Sequence, residues 1–237
     1  PPEAMILSAV EKLRDERIDG VASVGGGSSM DTAKLIAVLL NSNQELEDIY
    51  GVNQVIGDRL PLVLAPTTAG TGSEVTPISI VTTGANEKKG VVSPQLLPDW
   101  AILDAELTVG LPAQVTAATG IDAMVHAIEA YTSKRLKNLV SDCLAKQALE
   151  LLGANIRKAC FTMEDREARG QMLLGSTLAG MAFANAPVAA VHALAYPLGG
   201  HFHVPHGLSN ALVLPYVLEF NMPEAQAMYA ELAPIIF

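Results

Sequence analysis

The stretch Gly20-Val21-Ala22-Ser23-Val24-Gly25-Gly26-Gly27-Ser28-Ser29-Met30-Asp31-Thr32-Ala33-Lys34-Leu35 decides how the first half of this chain reads. Residues 20–24 form an apolar run short enough for a buried strand. After the glycines the apolar spacing changes to the threes and fours of a helix. A strand, a glycine turn and a helix N-terminus in that order make an anion site, because glycine lets the backbone approach a ligand while N–H groups and the helix dipole face its negative charge. Met30 stands where the third glycine of G-x-G-x-x-G would be, so the dinucleotide fingerprint is not met. A plainer reading is a tight turn with Ser28 as N-cap and Asp31 completing a capping box. The two readings use different donors and coexist.

Working outward, residues 4–16 space their apolar members as an amphipathic helix. A second strand over 60–66 empties into Thr67-Thr68-Ala69-Gly70-Thr71-Gly72-Ser73-Glu74, a loop equipped to hydrogen-bond phosphate or ribose without added charge, or simply a polar loop. A hairpin follows, with arms at 77–83 and 90–93 and with Lys88 and Lys89 in its turn, then a strand over 100–104. From Leu111-Pro112 onward strand signals stop. Helical periodicity runs through 113–118, 121–134, 138–157, 164–184 and 207–219, and a last helix starts just before Phe237. This shift divides the chain into an α/β domain, residues 1–111, and an all-helical domain, residues 112–237.

A formal charge of −10 and no basic stripe argue against nucleic acid or an anionic membrane as partner and leave small molecules. Cys143 and Cys160 have neither metal-type spacing nor a disulfide framework, which suits a reducing cytoplasm. No secretory signal opens the chain, and Pro1-Pro2 without an initiator Met reads as a processed, trimmed or fragmentary start. The weakly polar run over 176–195 contains Asn185, Pro187 and His192, so it is expected to be a buried helix rather than a membrane span.

In Gly120-Ile121-Asp122-Ala123-Met124-Val125-His126-Ala127-Ile128-Glu129-Ala130-Tyr131 a carboxylate and an imidazole stand four residues apart and share a helix face. Alone, such a pair is an ordinary solvated ion pair. The chain has only five histidines, however, and His192, His201, His203 and His206 crowd into one short segment. A metal site built from Asp122, His126 and two of those four is the leading expectation. His192 is expected near a helix C-terminus closed by Pro197, Gly199 and Gly200, and His206 at the start of the next helix.

Four motifs taken together, Gly25-Gly26-Gly27-Ser28-x-x-Asp31-x-Ala33-Lys34, the segment 66–74, Gly120-x-Asp122-Ala123-x-x-His126-x-x-Glu129-x-Tyr131, and His192-x-x-x-x-Pro197-Leu198-Gly199 with Pro205-His206-Gly207, resemble the iron-containing (group III) alcohol dehydrogenase family. The resemblance covers essentially the whole chain. It implies a dehydroquinate synthase-like architecture, with an α/β nucleotide-binding domain, a helical metal-binding domain and an active site in the cleft between them, here truncated at both ends. It also implies metal ligands Asp122, His126, His192 and His206, with His201 and His203 lining the site. Gly26, Gly27 and Ser28 would hold the pyrophosphate; Thr67, Thr68, Gly70 and Thr71 the adenosine side; Lys89 the ribose; and Ile80 and Leu107 the cofactor walls. Asp31 belongs to this cofactor motif without an evident role. Tyr196 stands where many members carry a further histidine, so a proton relay would run through its hydroxyl or through water.

The implied function is hydride transfer between NAD or NADP and a small alcohol, aldehyde or ketone bound to a divalent metal, Fe(II) foremost, with Zn or Ni also compatible. The full-length protein is expected to be a cytoplasmic homo-oligomer, a dimer. Glu47 and Asp48 lie about 20 residues past the glycine turn, the Rossmann offset, but no strand precedes them and they are discounted. Two alternatives stand beside this reading: a glycerol dehydrogenase or dehydroquinate synthase relative, whose motifs match less well at 66–74, and a non-catalytic nucleotide- and metal-binding fragment.

Overall fold

The computed structural model describes residues 1–84 and 87–237. The chain divides into two compact units, one of residues 1–67 with 73–102, the other of residues 68–72 with 103–237.

In the first unit, helix α1 (Glu3–Leu13) precedes β1 (Val21–Gly25), helix α2 (Gly27–Leu39), β2 (Gly51–Val52), β3 (Leu62–Pro66), β4 (Ile78–Thr82), β5 (Lys88–Val92) and β6 (Trp100–Ala101). β1 and β6 flank β3 and both run parallel to it, with Val21 opposite Leu62 and Val63 opposite Trp100. Parallel neighbours need a crossover, and α2 lies within the one joining β1 to β3. From Ala33 to Leu39 every residue is buried and all but Lys34 are apolar, as in a helix buried on two sides. Met30, Ala33 and Ala37 pack with Leu62 and Leu64, while Leu35, Val38 and Leu39 pack with Ile6, Val10, Leu46, Ile49, Val81 and Val91.

The remaining strands form a sheet in the order β2-β5-β4, antiparallel between β4 and β5. Lys88 and Lys89 belong to β5 rather than to the hairpin turn, because the pairing starts at Thr82 opposite Lys88. β6 is shorter than the expected 100–104 strand, and β2 carried no sequence signal at two residues long.

α2 begins at Gly27 with Gly26 at the N-cap and no side-chain capping bond, so the Ser28–Asp31 capping box does not form. Asp31 is used elsewhere: its carboxylate accepts from Ser73 Oγ at 2.7 Å and from the Ile80 N–H at 2.9 Å. One turn on, the fully buried Lys34 donates to the carbonyls of Thr76 at 2.9 Å and Ile78 at 2.8 Å. α2 thus satisfies backbone groups of β4, the outer strand of its sheet.

The second unit contains α3 (Ala113–Thr132), α4 (Leu139–Phe161), α5 (Arg166–Asn185), α6 (Ala190–Phe202) and α7 (His206–Ile236). The two short helices expected before residue 134 are one, because Gly120 is a packing residue rather than a break: a Cβ there would meet Met172 Cε at 2.7 Å and Ile156 Cδ1 at 2.9 Å. The apolar run over 176–195 is not one helix. α5 stops at Asn185 and α6 leaves at 108°, since Pro187 pushes Ala186 out of helical backbone (φ −135°, ψ 97°). Among the described residues no single helix is long and apolar enough to cross a membrane. α7 runs far past residue 219, with Pro215, Pro223 and Pro234 inside it, so the helix expected just before Phe237 is its last part. Buried Arg169 donates to the Thr108 carbonyl at 2.6 Å and the Leu111 carbonyl at 3.3 Å, tying the segment before α3 to α5.

Burial pushes the Lys34 ammonium down to about 8 from its ordinary 10.5, although Asp31 and Glu74 pull the other way. Between those values the unfolded chain binds more protons than the folded one, so the burial penalty fades as pH rises, while the neutral amine still donates to both carbonyls. The stability gap between wild type and Lys34→Met, read as urea midpoints from about pH 7.5 to about 10, should move in favour of the wild type.

Candidate metal centre

α3 carries Asp122, His126 and Glu129 at positions i, i+4 and i+7, one side of the helix. All are buried, Asp122 to 3% exposure, among fully buried alanines at 123, 127 and 130. α6 contributes His192 in its first turn, and α7 contributes His206 as its first residue and Asn210 one turn on. His192 therefore sits at the start of its helix. Pro197, Gly199 and Gly200 lie inside α6, which runs on to Phe202 and ends on His203 in left-handed backbone, φ 55°.

Asp122 Oδ1 lies 3.6 Å from His192 Nε2 and 3.5 Å from His206 Nε2. Donor atoms of these three residues all fall within 4.8 Å of one another. A tetrahedral ion about 2.1 Å from its ligands places them about 3.4 Å apart, so the donor set fits a divalent cation in kind and in spacing. The Asn210 amide nitrogen supports the same conclusion. It lies 2.5 Å from Asp122 Oδ1 and 3.3 Å from each of the two Nε2 atoms, so the carboxylate oxygen and both imidazole nitrogens face one polar group. Asn210 Oδ1, also buried, has no hydrogen-bond partner among the described residues.

The His126 ring stacks on His192 at 4.5 Å and on Phe183 at 4.4 Å, outside the three-residue donor group. Its Nδ1 donates to the Gly70 carbonyl at 3.2 Å, which leaves Nε2 as the lone-pair nitrogen. Tyr196, half-buried, stacks on His206 at 5.9 Å, while His201 and His203 are exposed. Burial lowers the His126 ring to about 4 in spite of Asp122. Burial alone would raise the Asp122 carboxyl, yet the surrounding imidazoles of His126, His192 and His206 hold it at about 2. Burial would likewise lower His192, but the bonds to Asp122 and Glu129 raise it to about 9. Two carboxylates facing one ring favour positive charge there, the preference a bound cation would meet.

Residues 116–237 match the C-terminal part of the Fe-containing alcohol dehydrogenase family, and residues 1–105 match iron-containing alcohol dehydrogenase. The chain belongs to the iron-containing alcohol dehydrogenase family. It is 49% identical to long-chain-alcohol dehydrogenase 1 of Geobacillus thermodenitrificans over 93% of its own length and 56% of that protein. All of it aligns with the crystal structure of an iron-containing alcohol dehydrogenase from Thermotoga maritima (39% identity, TM-score 0.92, 64% of that chain). Sulfoacetaldehyde reductase from Bifidobacterium kashiwanohense, solved in complex with NAD+, aligns at 33% identity and TM-score 0.87 over 93% of this chain and 59% of its own. The chain thus spans between 56% and 64% of the length of these relatives.

Within this member of the iron-containing alcohol dehydrogenase family, the expected nucleotide residues divide between the two units. Gly26, Gly27 and Ser28 form the N-terminus of α2, and the Thr67 N–H donates to the Gly25 carbonyl at 3.0 Å, so the glycine turn and the end of β3 are neighbours. Ile80 is half-buried on β4, and Lys89 is exposed with its Nζ 5.2 Å from the centre of the Tyr50 ring. Thr68, Gly70 and Thr71 belong to the helical unit, as does Leu107, which sits in a short turn over 105–108. Gly70 is buried with its carbonyl on His126, a supporting role that sequence reasoning missed. Asn210 and Glu129 were missed as site residues too. For Asn210 the available signal was its position four residues after His206 on one helix face.

Gly207 sets how closely α7 approaches α3, since a Cβ there would lie 2.1 Å from the Ala118 carbonyl oxygen. Gly207→Ala should cost more than about 2 kcal/mol, lower the melting temperature by about 5 °C or more, and weaken metal retention by displacing His206. Calorimetry and elemental analysis check both effects.

Proposed function

We propose that this chain is the nucleotide- and metal-binding part of an NAD(P)-dependent alcohol dehydrogenase that interconverts a small alcohol and its aldehyde or ketone. The observation that carries the reading is the convergence of Asp122, His192 and His206 on one point inside the helical unit. A divalent ion held by these residues, with His126 beside them, would supply Lewis-acid polarisation of the substrate oxygen, and a nicotinamide would supply or take the hydride.

The chain's own groups have definable parts. Ionised Asp122 supplies the negative charge that retains a cation. His126, neutral with its Nδ1–H on Gly70, keeps Nε2 able to accept. The Tyr196 hydroxyl, on a ring stacked against His206, would hold or pass a proton at its Oη. Gly26, Gly27 and Ser28 offer backbone N–H groups to a pyrophosphate. Thr67, Thr68 and Thr71 offer hydroxyls, Lys89 a charge for the ribose, and Ile80 and Leu107 apolar walls. Asp31 serves nucleotide binding through architecture, because both carboxylate oxygens are engaged by Ser73 and Ile80.

Family membership supports Fe(II) as the ion, and the same donors suit Zn(II) and Ni(II). The NAD+-bound relative supports NAD(H), with NADP(H) as the other outcome of the assay. A reducing cytoplasm suits the two free cysteines, and a homodimer would cover surface aromatics such as Tyr216 and Phe220 on α7.

The protein expressed from its complete reading frame and loaded with Fe(II), Zn(II) or Ni(II) should oxidise NADH or NADPH in the presence of short aldehydes. Metal-replete protein with no turnover of either nucleotide over a panel of alcohols and aldehydes would overturn the proposal. Asp122→Ala and His206→Ala should each lose metal and turnover together while nucleotide binding, followed by fluorescence titration, largely survives.

A further inference from the structure

Glu129 is buried to 4% exposure in the apolar body of α3, and no role in the reaction requires it. A carboxylate withdrawn from water costs several kcal/mol unless its oxygens are satisfied, so its partners identify its task. Oε1 accepts from the Val191 N–H at 2.7 Å, and Oε2 faces His192 Nδ1 at 2.6 Å. The two partners are consecutive residues in the first turn of α6, a helix whose N-cap, Ala189, offers no side-chain bond. Glu129 therefore does from α3 what a capping residue would do locally, supplying negative charge and an acceptor to an N-terminus. The same group holds the ring that follows. Since a carboxylate only accepts, His192 Nδ1 must carry a proton, and the other ring nitrogen, Nε2, is the one within 3.6 Å of Asp122 Oδ1.

We propose that Glu129 is the positioning residue of the metal centre: clamping the Val191 backbone and the His192 ring together, it fixes the Nδ1–H tautomer and aims Nε2 at the donor cluster. The proposal rests on the metal-centre reading above and deepens it. Asp122 and Glu129 are two helical turns apart on α3, so one helix supplies both a donor and the support for a second donor that arrives on another helix. A histidine that gives its outer N–H to a carboxylate is also a more basic donor at its inner nitrogen.

Two measurements on the full-length protein test this, with Zn(II) as the diamagnetic probe. In protein labelled with 15N in its histidine rings, the Zn(II)-loaded wild type should show His192 protonated at Nδ1. In competition with a chromogenic chelator, Glu129→Gln should bind Zn(II) about 10- to 100-fold more weakly than wild type. A Glu129 that merely caps α6 would lower the melting temperature of the variant and leave the Zn(II) affinity within about twofold of wild type, and that result overturns the proposal. So does a wild-type His192 unprotonated at Nδ1. Should Glu129→Gln not fold, the wild-type ring spectrum decides alone. Wild-type protein that binds neither Zn(II) nor Fe(II) refutes the metal-centre reading itself, whereas metal-binding wild type with an unaffected variant refutes only the role of Glu129.

Discussion

The charge of Asp122 is the constraint around which the helical unit is arranged. A carboxylate with almost no exposed surface must find compensation inside the protein, and none of it comes from neighbouring residues on its own helix apart from His126. It comes from His192 on α6 and from His206 and Asn210 on α7, so the sharp break after α5 and the close entry of α7 both serve to bring polar groups to one buried point. Small residues make the approach possible: alanines on α3, and Gly207 where α7 meets Ala118.

The α/β unit faces a related problem and solves it differently. Lys34 is as deeply buried as Asp122, but its ammonium donates to carbonyls of Thr76 and Ile78, and Asp31 one turn away accepts from Ser73 and Ile80. Donors and acceptors match there, and the outcome is architecture, a crossover helix fastened to an outer strand. At Asp122 they do not match. One carboxylate oxygen and two imidazole nitrogens aim at the same place, and the Oδ1 of the Asn210 amide that faces them has no hydrogen-bond partner among the described residues. A carboxylate oxygen and two imidazole nitrogens converging on one point, rather than each on a partner of its own, is the arrangement a divalent cation would need.

Hydrogen bonding to His126, His192 and Asp122 extends the centre beyond its donors. Gly70, in a loop whose composition suggested phosphate, gives its carbonyl to His126, and Glu129 gives both oxygens to the start of α6. Both contacts bear on which ring nitrogen carries a proton.

By itself the sequence determined the local elements and the chemistry they carry: the strand, glycine turn and helix at 20–35, the carboxylate and imidazole one turn apart on α3, and a cluster of late histidines. These features depend on periodicity and spacing along the chain, which the residues state directly. Only the tertiary structure decided that 113–132 is one helix, that the run over 176–195 breaks at Pro187, that His192 opens its helix, and that Asn210 reaches Asp122 and Glu129 reaches His192. In each case the deciding contact joins residues far apart in the chain, such as Gly120 with Met172, Glu129 with His192 or Asp122 with Asn210. Such a contact leaves no periodic trace, because its energy comes from burying two surfaces against each other rather than from any preference of the residues taken singly.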